Sequence, residues 1–118
     1  MQQASSSLNH PTSPFSPPLP EKPGERLQWG RCSDASKGLA IAQAAQAYNG
    51  LVVVITSDVQ QATQMENQLG FFLEESALSI LHYPDWEILP YDVFSPLPEL
   101  VSQRLLALHQ LQKSERGI

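Results

Sequence analysis

One stretch of nine residues, Gly30-Arg31-Cys32-Ser33-Asp34-Ala35-Ser36-Lys37-Gly38, has the composition and position for phosphate chemistry. A lysine in a glycine-bearing turn ahead of a helix can offer a nucleotide close backbone N–H groups, a helix N-terminus and an ammonium. Lys37 can be set on the lysine of G-x-x-x-x-G-K-[ST]. The two glycines then fall on Arg31 and Ser36, and the magnesium-binding hydroxyl falls on Gly38. Only the lysine matches. Side chains at 31 and 36 hold the backbone away from phosphate, Asp34 puts a negative charge inside the turn, and magnesium loses its hydroxyl ligand. The expectation is a retired nucleotide loop in which Arg31, Ser36, Lys37 and Gly38 bind no cofactor. Lys37 is then an ordinary first-turn surface lysine.

The second chemistry-bearing stretch is Pro84-Asp85-Trp86-Glu87-Ile88-Leu89-Pro90-Tyr91-Asp92-Val93-Phe94-Ser95-Pro96. Asp85, Glu87 and Asp92 could serve as acid–base carboxylates, but no nucleophile or histidine lies at an interpretable spacing, and such acids more often cap turns. Trp86, Tyr91 and Phe94 fit neither a strand alternation nor a helical stripe. Each proline restricts its own φ and the residue before it. The segment reads as a rigid crossover whose aromatics pack in the core or between domains, or else form a docking surface. Cys32 and the scattered His10, His82 and His109 give no metal-site spacing, and one cysteine allows no internal disulfide. Arg104, alone among leucines, reads as solvated or ion-paired rather than as an arginine finger.

The net charge is −5, and no Lys or Arg occurs between Gly38 and Gln103, where eight acids fall. Such a surface repels phosphate, which argues against direct binding to DNA or RNA. There is no signal-like N-terminus, and the longest apolar run, Leu51 to Ile55, is far short of a membrane span. A soluble protein of a reducing cytoplasm is expected.

The elements that would position these residues follow from the pattern. Residues 1–24 hold six of the ten prolines and five serines. That composition cannot bury enough surface to offset ordering entropy, so a disordered arm is expected, with polyproline II character around Pro17, Pro18 and Pro20. Residues 25–118 form the domain. Leu27 and Trp29 suggest a short strand. Lys37 to Tyr48, rich in alanine, suggests a helix stopped by Asn49-Gly50. Leu51 to Thr56 is a β-branched run suited to a strand buried on both faces of a parallel sheet. Ser57 and Gln60 form a capping-box pattern for a second helix, and Ala77 to Tyr83 suggests another strand. Ser95-Pro96 opens a third helix, with Leu97, Leu100, Val101, Leu105, Leu108 and Leu111 as its apolar stripe. This alternation predicts an α/β fold: a partial parallel sheet with flanking helices, of degenerate nucleotide-loop type. Closing at Glu115-Arg116-Gly117-Ile118, on what reads as a further strand, the sequence reads as a piece of a larger parent.

Gly24-Glu-Arg-Leu-Gln-Trp-Gly30, the failed cradle, Leu51-Val-Val-Val-Ile55 and above all Asp85-Trp-Glu-Ile-Leu-Pro-Tyr-Asp-Val-Phe-Ser-Pro96 resemble the N-terminal end of bacterial transcription-repair coupling factors. Leu100 to Leu108 and Arg116-Gly117 continue the likeness, which covers about residues 24–118. The resemblance implies an ATP-dependent DNA translocase that removes stalled RNA polymerase and recruits nucleotide-excision repair. It implies a region similar to domain 1 of the damage-verification protein UvrB that has lost its hydrolytic residues. It places ATP, magnesium, double-stranded DNA, RNA polymerase and UvrA at regions outside these residues, so that no catalytic or partner-contact residue carries over. The reading is then a non-catalytic scaffold that can self-associate through an open sheet edge. The alternative is a working ATP-binding lobe of UvrB or another helicase, against which the cradle argues.

Overall fold

The computed structural model describes residues 13–89 and 91–118, and in these the regular elements are three helices: α1 (Asp34–Ala47), α2 (Val59–Phe72) and α3 (Pro98–Lys113). Alanine builds α1 and also decides its packing. Gly38, Ala40, Ala42, Ala44 and Ala45 are its buried residues, and their small side chains let α2 come close. Ala42, Leu69 and Leu73 form the buried cluster, flanked by Ile41, Met65, Phe72, Leu78, Ile80 and Ile118. The core therefore sits at the α1–α2 crossing, against the segment that follows α2.

The expected parallel sheet is not formed. Among the described residues there is no strand, only two isolated parallel bridges, Leu51 to Gly117 and Ser79 to Gly117. The Val52 amide donates to the Gly117 carbonyl (2.9 Å), the Ile118 amide to the Ser79 carbonyl (3.0 Å) and the Leu81 amide to the Ile118 carbonyl (2.8 Å). A ladder needs successive pairs, and Gly117-Ile118 gives each run a single bridge. Val53 and Ile55, which the β-branched run predicts to be buried on both faces, stand 78% and 90% exposed. The expected strand at Leu27 and Trp29 is also absent. There the Trp29 indole N–H donates to the Pro18 carbonyl (3.0 Å), tying residues of the expected arm to the segment before α1. Residues 1–12 of that arm lie outside the described residues.

The helix ends shift by the logic of their caps. Asp58 rather than Ser57 caps α2, accepting from the Gln61 amide (2.8 Å) while the Ser57 hydroxyl donates to its other oxygen (3.1 Å). Pro98 rather than Pro96 opens α3, so the proline rule holds two residues later than expected. Neither Asn49 nor Gly50 takes the left-handed conformation at the end of α1. Its terminal carbonyls are met by the Arg116 guanidinium, which donates to Gln46 (2.8 Å), Tyr48 (3.2 Å) and Ala45 (3.5 Å). On α3 only Ala107 is buried, and most of the expected leucine stripe stands exposed. Leu100, Arg104, Ala107, Leu108 and Leu111 line an open trough of about 1220 Å³ together with α2 and the runs around Leu51 and Ile80.

Candidate functional site

The turn before α1 carries the residues that the sequence sets against a phosphate-loop motif, and its side chains are largely paired with one another. Arg31 has φ 56°, the left-handed conformation that glycine takes easily, at the very position where the motif has its first glycine. Arg31 itself is exposed. Ser33 and Ser36 hydroxyls lie 2.8 Å apart and hydrogen-bond each other. Lys37 Nζ is drawn to Asp34 Oδ1 at 3.2 Å, across the first turn of its own helix and in solvent. A phosphate would have to compete with this carboxylate for the ammonium.

Gly38, which the motif alignment sets against the magnesium-binding hydroxyl, is buried against α2. A Cβ built there would lie 2.8 Å from Gln68 Cβ, and the Gln68 side-chain oxygen, buried and without a hydrogen-bond partner, rests over the same spot. The position that would carry Ser or Thr is occupied by the contact between α1 and α2. A hydroxyl-bearing side chain does not fit without moving α2.

The connector is anchored by a residue to which sequence reasoning gave no such part. Arg104 Cζ lies 4.1 Å from the centroid of the Tyr83 ring and 4.1 Å from that of Trp86, and its Nη1 donates to the Pro84 carbonyl at 2.5 Å. A cation between two aromatic faces is held by both quadrupoles. The available signal was that Arg104 is the first cation after Lys37, facing a segment with aromatics and no base of its own. Trp86 is 38% exposed, whereas Tyr91 and Phe94 are 98% and 75% exposed, so the three do not share one packing role. Asp92 Oδ1 accepts from the Val93 amide (2.9 Å) and caps a turn closed by the Asp92 amide on Leu89 (3.0 Å). His82 Nδ1 lies 3.0 Å from Glu66 Oε2, joining the segment after α2 back onto that helix. No group of three metal-capable side chains converges among the described residues.

With this geometry in view, relatives decide the family. No family model matches the chain, and no solved structure does. A transcription-repair-coupling factor of Haemophilus influenzae is 36% identical over 107 residues, which is 91% of this chain and 9% of that protein. One of Escherichia coli is 35% identical over 100 residues, 85% of this chain and 8% of its own length. A third, of Myxococcus xanthus, is 32% identical over 108 residues, 87% and 9%. The chain belongs with the transcription-repair-coupling factors. It spans about a tenth of the length of these curated relatives or less. Among the described residues no helix is long and apolar enough to cross a membrane.

Proposed function

We propose that the chain is a non-catalytic scaffold segment of a transcription-repair-coupling factor. ATP and magnesium, RNA polymerase, UvrA and double-stranded DNA are then engaged by other regions of the whole protein, in the cytoplasm. One observation carries the reading: Gly38, the position of the magnesium ligand, is filled by the side chain of Gln68 from α2. Support comes from the Lys37–Asp34 pair, which leaves the cradle without an uncommitted ammonium, and from the acid-rich interval that follows.

Titrating ATP with magnesium against the fluorescence of Trp29, which lies just ahead of the turn, tests it. The expected outcome is no saturable quenching up to millimolar nucleotide. Saturable, magnesium-dependent quenching at micromolar ATP would instead favour a working ATP-binding lobe of a helicase and overturn the scaffold reading.

A further inference from the structure

A scaffold that only fills space has no use for the outer face of the connector. Leu89, Tyr91, Val93 and Phe94 stand in solvent within six residues of chain, and a monomer rarely presents so much apolar surface in one place without a partner for it. The loop is also framed at both ends. Arg104 holds its base through Tyr83, Trp86 and Pro84, the Asp92 turn sets its tip, and Pro98 fixes its exit into α3. A framed loop loses little conformational freedom on docking.

Charge and size then decide the kind of surface it meets. Asp85, Glu87, Asp92 and Glu99 border the aromatics, and among the described residues none of the four is ion-paired. Complementarity requires an apolar patch rimmed by Lys and Arg. A loop of this size covers much less than the roughly 1,200–2,000 Å² that a stable complex of free proteins buries. A tethered partner faces no such requirement, because tethering supplies an effective concentration of about millimolar order. The matched relatives have more than nine-tenths of their length outside the matched segment.

We propose that in the full-length polypeptide Tyr91 and Phe94 seat in an apolar, Lys/Arg-rimmed patch on another domain of the same polypeptide. The proposal rests on the scaffold reading and gives the scaffold its point of attachment. The test places p-benzoylphenylalanine at position 91, and separately at 94, in a full-length member of the family carrying this chain at its matching position. Both side chains are exposed, so neither replacement touches the core. Irradiation followed by mass spectrometry should map both positions to one patch of the same polypeptide that contains apolar residues and Lys or Arg. The yield should fall about fivefold or more in Asp85→Lys/Glu87→Lys, which leaves the Asp92 turn intact, and at about 0.5 M salt, where exposed charges are screened within a few ångströms. Cross-links to a second copy, to a separate protein or to a patch without Lys or Arg overturn it, as does the absence of cross-links. Saturable nucleotide binding by the 118-residue chain would sink the scaffold reading by a different measurement and leave the cross-link map as it stands.

Discussion

Gly38 and Arg104 show how much a single residue decides here. At Gly38 a restored Ser or Thr would look, by motif, like repair of a magnesium site. The contact with Gln68 predicts the opposite, since Gly38→Ser or Gly38→Thr overpacks the α1–α2 crossing. Either should cost about 1–3 kcal/mol in urea denaturation and bring no nucleotide binding, and a stable variant that binds ATP would refute the packing account. At Arg104 the expected loss for Arg104→Ala is about 1–3 kcal/mol, from two aromatic contacts and an orphaned Pro84 carbonyl. Because Trp86 shares the contact, Trp86→Ala and the double variant should be clearly non-additive in a mutant cycle. Full additivity would show that the stack contributes nothing. The counterpart of Trp86, Arg104, has no signature in the sequence, because a pairing 18 residues away leaves no local periodicity. For Tyr91 and Phe94 hydrophobicity alone does not separate a core side chain from one presented to a partner.

Each helix was legible and the start of each was not, for one physical reason. Alanine content, capping chemistry and an N1 proline act within a turn or two, so they announce that a helix exists. Near-equivalent neighbours such as Ser57 and Asp58, or Pro96 and Pro98, then compete for the terminal position. Asp58 prevails because its carboxylate reaches the Gln61 amide, and that bond, with the Ser57 hydroxyl next, lowers its pKa below the ordinary 3.8. The folded-state value is the lower one, so the cap contributes above the unfolded value and is lost as pH falls through the folded one. Circular dichroism should therefore show α2 fraying below about pH 4, and Asp58→Asn should flatten that acid limb. An unchanged limb would mean that the cap is not formed in solution. The sheet expected from sequence is not formed because β-branched runs report a tendency to pair and carry no information about how many residues stand opposite. Leu51 to Ile55 has the right side chains, but among the described residues its single bridge is to Gly117.

The described residues form a packed crossing of α1 and α2 with a loosely covered flank. Val53, Ile55, Leu105, Leu106 and the connector aromatics present apolar surface in quantity. In isolation the 13.1 kDa chain should self-associate as its concentration approaches about 100 μM, read as a rising weight-average mass in sedimentation. Val53→Lys with Ile55→Lys should return it towards the monomer, and a chain that stays monomeric without them would contradict the expectation. The guanidinium of Arg116 also ties the molecule to the direction in which it is made. The carbonyls that end α1 receive their donors from a residue 68 to 71 positions later. At a synthesis rate of about 5–20 residues per second, roughly 3–14 seconds pass between the ribosome completing α1 and adding that residue. For that interval the nascent helix has an unfinished end, available to whatever holds emerging chains.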